Sequence, residues 1–255
     1  MLFSKRSRII ASNLITAFLL FSLTFINFKW QYFYLIFIVI GSYILISWSF
    51  KQYLYGIKLI NLFVLPVLLV TFIGILIIQI DFSFWLKSAL IAVFLVINYI
   101  IILSENIFNV SEVRNIPLLR AAHTVGYLAT LGVAYLGFFL IYFSKINMPL
   151  TLIFLGVFSF LIYLQAFWQI ELKEDLSTEV FLSSVASTLM TTQLGFIICL
   201  WPLTPIGAAM SLTTSVYTFL GLIQYRIKNN LSKRAGFEYI TVGLFVFLLI
   251  LFTQR

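Results

Sequence analysis

Charge is what this chain has least of. Asp, Glu, Lys and Arg make up only 9% of its 255 residues, where a soluble domain carries about 25%. So few polar side chains cannot cover a water-facing surface, and a large soluble fold is excluded. A single cysteine, Cys199, excludes an intrachain disulfide and a multi-cysteine metal site. It sits in an apolar run, where a thiol serves as a small buried hydrophobe. A single histidine, His123, excludes an imidazole-rich metal site and paired haem ligation within one chain.

Several enzyme signatures are missing as well. There are no aspartate-rich motifs of the membrane prenyltransferase or CDP-alcohol phosphotransferase kind. Nor is there a Glu-Glu pair of the membrane-protease kind, a Gly-x-Ser-Gly motif, or a glycine loop fit to cradle phosphate. No metal site and no cofactor is expected, and the reading leans away from an enzyme.

What the chain has instead is apolar bulk: 62% hydrophobic residues, 28 phenylalanines and a mean hydropathy of +1.10. Such helices face lipid or one another all round. A membrane span needs about 20 mostly apolar residues, and nine stretches qualify. They run approximately Ile9–Phe28, Tyr32–Phe50, Leu59–Ile80, Trp85–Leu103, Ala122–Phe143, Pro149–Ile170, Val180–Trp201, Pro205–Tyr225 and Phe237–Thr253. The opening MLFSKRSRII has the charge of a signal peptide. However, its apolar run is too long and ends in Asn-Phe-Lys without a small-residue cleavage site, so it reads as a retained span. The fold expected is all-α: one polytopic bundle over residues 1–255, without a soluble domain or a convincing internal repeat.

Charge placement orients it. With the amino terminus inside, the inner segments hold Lys5, Arg6, Arg8, Lys51, Lys58, Arg114, Arg120, Lys173, Arg226, Lys228, Lys233 and Arg234. The outer ones hold only Lys29, Lys87, Lys145 and Arg255. This is the positive-inside bias, and it accounts for the net charge of +8 without a nucleic-acid partner. Trp30, Trp48, Trp85, Trp168 and Trp201 all fall at span ends, where amphipathic rings prefer to sit. An odd span number puts the carboxyl terminus outside, and the cell membrane is the expected location.

Ionisable groups inside a bilayer are costly and mark function. On these boundaries every span interior lacks them, which argues against a proton- or sodium-coupled carrier. The most polar inner region is the junction SENIFNVSEVRNIPLLRAAHTVGY. If the fifth helix starts after Pro117, Arg120, His123 and Tyr127 share a face at i, i+3 and i+7. There they could hold a lipid or polyprenyl phosphate, with Glu105 and Glu112 to position a metal or act as a base, and His123, Glu105 or Glu112 as the catalytic candidates for acid–base work. The plainer reading, an anchoring arginine and a packed histidine, is preferred.

The loop ELKEDLSTE gathers Glu171, Glu174, Asp175 and Glu179, which suits a helix N-terminus capped at Ser177 better than a cation site. Two small-residue seams stand out: Ser184, Thr188, Thr191 and Gly195 in the seventh span, and Gly207, Ser211, Thr214, Thr218 and Gly221 in the eighth. Joined by the uncharged turn WPLTP, the two spans are expected to pack antiparallel. Close packing is the plainer reading, and a hydroxyl-lined path through Thr188, Thr191, Gln193 and Thr214 the sharper one. Asn13, Asn61, Asn98, Gln79 and Gln165 are expected to bridge helices. Asn109-Val-Ser and Asn230-Leu-Ser match the glycosylation triplet but fall on the inner side.

Three functions follow, in order. The first is a non-catalytic accessory, scaffold or assembly protein, with the bilayer and another membrane protein as partners. The second is a transporter or flippase for an amphipathic or neutral substrate. The third is an enzyme acting on a lipid or polyprenyl phosphate headgroup at the inner face.

Overall fold

Apolar runs of this length fold as helices because lipid offers no hydrogen bonds, and a helix satisfies its backbone within itself. The computed structural model describes residues 4–50, 56–111, 118–173, 175–201, 203–227 and 233–253. Among these residues the secondary structure is helical, with no strand. The elements are α1 (Lys5–Ser22), followed by a 3-10 turn (Leu23–Phe25), α2 (Phe28–Phe50), α3 (Lys58–Gln79), α4 (Phe84–Ser111), α5 (Leu119–Phe143), α6 (Met148–Glu171), α7 (Thr178–Cys199), α8 (Pro205–Ile227) and α9 (Lys233–Thr253). Eight of them, α1 to α8, are long and apolar enough to cross a membrane, whereas α9 has a shorter apolar run, Gly236–Ile250. The chain is a polytopic α-helical membrane protein.

Local sequence starts these helices. Ser4, Asn147 and Ser177 cap α1, α6 and α7 by accepting from the backbone N–H of Ser7, Leu150 and Val180. Thr204 does the same for Gly207 at the head of α8, where Pro205 occupies the first helical position. Glu179 lies in the first turn of α7, as the capping reading expects. At the end of α6, Leu172 takes the left-handed conformation (φ 51°) and returns its N–H to the Trp168 carbonyl.

One boundary corrects the sequence reading. Helix α4 continues to Ser111, well past Leu103, so Glu105, Asn106 and Asn109 are helical rather than parts of a loop. A hydropathy window stops at the first polar cluster, but Ser104–Ser111 contains no glycine or proline to stop the helix. Ser104 even turns its hydroxyl onto the Ile101 carbonyl (2.8 Å). The longer bounds take in two ionisable residues that the spans read from sequence left out. Glu105 lies inside the apolar helix Phe84–Val110 and Lys58 opens α3, and both are 0% exposed.

The chain divides into two compact units, Met1–Gly126 and Tyr127–Arg255. In the first, α1 packs on α2 and α4, and α3 packs on α2 and α4, closing an antiparallel ring of four. Helix α3 is the most enclosed span. It lies close to α2, since a methyl group at Gly74 would collide with Leu35. In the second unit, α6 and α7 pair most extensively, and α8 contacts α6, α7 and α9. Helix α5 touches this unit through Phe138 on Phe158, and through the Tyr142 hydroxyl, which donates to the Gly195 carbonyl (2.9 Å).

Candidate functional site

Helices α3 and α4 are antiparallel neighbours joined by the short turn 80–83, so counting back from that turn gives the level of each residue. Lys58 lies 21 residues before Gln79, and Glu105 lies 21 residues after Phe84. At 1.5 Å per residue, both sit about 31 Å from the turn. An ammonium and a carboxylate, each fully enclosed, thus share one level of the first unit.

Around them the enclosed polar side chains continue. Asn61 lies one turn nearer the α3–α4 turn, Asn109 one turn farther, and Ser104 beside Glu105, all buried. Asn61 is 0% exposed, and among the described residues its Oδ1 meets no donor and its Nδ2 no acceptor. Leaving such a buried group unmet costs about 1–3 kcal/mol.

Two further features sit on the turn side of Asn61. Pro66 interrupts α3 and has no N–H, so the Leu62 carbonyl lacks the donor an α-helix would give it. Helical carbonyls point toward the carboxyl end, which aims this one toward the level of Asn98 on α4. Asn98 donates to the Asn13 side chain (2.8 Å), and Asn13 donates to the Leu95 carbonyl (2.8 Å), which locks α1 to α4. The Asn98 Oδ1 is itself buried and unmet. On the other flank Ser49 of α2 donates to Ser12 of α1 (3.0 Å). The first unit therefore encloses a polar centre in which Lys58 and Glu105 share one level among amides.

The structure gives the residues singled out from sequence separate surroundings. Glu105 belongs to this centre. Glu112 lies outside the described residues, as do Arg114, Asn115, Pro117 and Glu174. Arg120 is exposed. His123 is half-buried, its ring set against Phe108 at 5.2 Å between centroids, one residue from Asn109. Tyr127 donates its hydroxyl to the Tyr217 carbonyl (3.2 Å), beside a row of rings that includes Tyr217, Tyr239 and Tyr225.

The two small-residue seams face different neighbours. On α7, Thr191 pairs with the Tyr163 hydroxyl of α6 (2.7 Å), and a methyl group at Gly195 would meet Leu155 of α6. On α8, Gly221 lies against Tyr239 and Thr218 against Gly243, both of α9. Thr188 is half-buried with an unmet hydroxyl, and Gln193 is exposed. Thr214 instead lines a groove of about 370 Å³ between α7, α8 and α9. The hydroxyls in that groove, on Ser211, Thr214, Ser215 and Thr218, each donate to the carbonyl four residues earlier at 2.8–3.0 Å. The groove is thus apolar in its demands.

Lys58, Asn61 and Asn109 were not picked out from sequence as members of one site. Two signals could have found them: equal counts from the α3–α4 turn, and the spacings Lys58/Asn61 at i, i+3 and Glu105/Asn109 at i, i+4. Among the described residues no three His, Cys, Asp or Glu side chains gather as metal ligands. The centre has the chemistry to hold a polar group that is neutral overall.

No curated protein and no solved structure matches the chain. Residues 46–253, from the end of α2 through α9, match the model of the family described as "Protein of unknown function (DUF5656)", and the chain belongs to that family.

Proposed function

We propose that this protein is a carrier for an amphipathic or neutral substrate, and that it holds the substrate's polar group in the enclosed centre of the first unit. Asn61 carries this reading: a fully buried amide whose two polar atoms are unmet among the described residues, about one turn from the level of the buried Lys58 and Glu105. Buried polar groups are otherwise satisfied. The accessory or scaffold reading drew on the absence of buried charges and of a soluble domain and on the small-residue seams, and the burial of Lys58 and Glu105 removes the first of these. The enzyme reading keeps Glu105 but sets the His123 ring on Phe108.

The arrangement in the membrane follows from charge. Nine spans, with the amino terminus inside, put the start of α3 and the end of α4 on the cytoplasmic side of the cell membrane. The substrate then enters from the inner leaflet, and the bilayer is the protein's first partner.

The test is thermal unfolding of the purified chain with short-chain lipids carrying neutral and zwitterionic headgroups. A ligand that binds only the folded state raises the midpoint. At least one headgroup is expected to stabilise the natural protein and to leave Asn61→Leu unmoved. Equal responses from both proteins would refute the reading.

A further inference from the structure

The unmet groups of the centre are unequal in kind. Asn61 Oδ1 and Asn98 Oδ1 are buried acceptors that meet no donor among the described residues. Beside them Pro66 has no N–H to give the Leu62 carbonyl. Against the two unmet acceptors stands one donor group, the Asn61 Nδ2. By residue count they lie at neighbouring levels: Leu62 follows Asn61 directly, and Asn98 lies about one turn nearer the α3–α4 turn than Asn61. Lys58 and Glu105 lie on the far side of these levels, level with each other, and both are already engaged.

An anionic group brought here would meet carbonyl oxygens, which repel it. A group that donates hydrogen bonds would satisfy them. We propose that the ligand of this centre presents hydrogen-bond donors, hydroxyl or ammonium N–H, toward Leu62, Asn61 and Asn98. This rests on the carrier reading of the same centre and narrows its substrate class: the recognised headgroup is a donor, and a phosphate is not what the oxygens hold. Pro66 acts as a positioning residue, because it keeps the Leu62 carbonyl open to the ligand.

The experiment uses two pairs of probes with the full chain in detergent micelles, read by the unfolding midpoint against probe concentration. One pair is 1,2-dioctanoylglycerol and its 3-acetyl ester, which differ in a single hydroxyl donor. The other is dioctanoyl phosphatidylethanolamine and dioctanoyl phosphatidylcholine, which differ in the ammonium N–H groups. The donor-bearing member of at least one pair is expected to bind about tenfold tighter, and the responding pair identifies hydroxyl or ammonium as the source.

Asn61→Leu is expected to abolish that binding. Pro66→Ala, which supplies an N–H to the Leu62 carbonyl within a helix alanine favours, is expected to shrink the preference to about twofold or less. Should Asn61→Leu fail to fold, Asn98→Leu removes a second acceptor and is expected to lower the preference likewise. Equal binding within both pairs, still lost in Asn61→Leu, would overturn the donor inference and leave the carrier reading standing. Binding unaffected by Asn61→Leu would overturn the carrier reading itself, and no response to any of the four probes would overturn both.

Discussion

Replacing Asn61 by leucine keeps the bulk of the side chain while removing two buried polar atoms that find no partner. In the absence of ligand, Asn61→Leu is therefore expected to be more stable than the natural protein, by up to about 1–3 kcal/mol. A higher unfolding midpoint in detergent checks this, and an unchanged or lower one would mean that the amide is satisfied in the folded protein. Asn98→Leu has the opposite sign, because it deletes the hydrogen bond between α1 and α4 and strips Asn13 of a partner. Hydrogen bonds between membrane helices average about 0.6 kcal/mol and reach about 1.7, so a loss near the upper value is expected. A double-mutant cycle with Asn13→Leu measures the pair directly. The sequence made Asn13, Asn61 and Asn98 visible as polar residues within spans. It did not say which of them bond and which stay open, because that depends on the rotation of each helix about its own axis, which composition leaves free.

Among the helices, apolar runs located nearly every element, since each must be about as long as the bilayer is thick. They failed where polarity and helicity part company: Ser104–Ser111 is polar and helical at once. The seams of small residues were equally plain as spacings, and their partners were not. A seam on α7 suits any neighbour with room for it, and here the neighbour is α6, through Tyr163 and Leu155. Adding one methyl group tests the α8–α9 contact. In Gly243→Ala the new Cβ would stand 2.8 Å from Thr218 Oγ1, closer than packing allows. The variant is expected to lose about 1–3 kcal/mol, and Thr218→Ala in the same chain to restore most of it. If Gly243→Ala unfolds like the natural protein, α9 does not sit on α8 as described.

For the molecule as a whole, the span number and the side of each loop are open to chemical labelling. In a Cys199→Ser background, an impermeant maleimide applied to intact cells is expected to modify Lys145→Cys and to spare Lys173→Cys until the membrane is opened. Both positions are exposed, so accessibility reports the side of the membrane. The reverse pattern would invert the proposed topology and place the polar centre at the outer leaflet. The charge bias of this arrangement was legible in the loops, whereas the division into the units Met1–Gly126 and Tyr127–Arg255 was not, although it falls at the most polar inner junction.

The ring of the first unit also has an order in time. Its first helix is fastened to its fourth by Asn13 and Asn98, which are 85 residues apart in the chain. At a synthesis rate of about 5–20 residues per second, Asn13 emerges from the ribosome roughly 4 to 17 s before Asn98. Throughout that interval a newborn α1 carries an amide that lipid cannot satisfy. The insertion machinery must therefore either retain α1 at its lateral gate or lend the amide a temporary partner until α4 arrives.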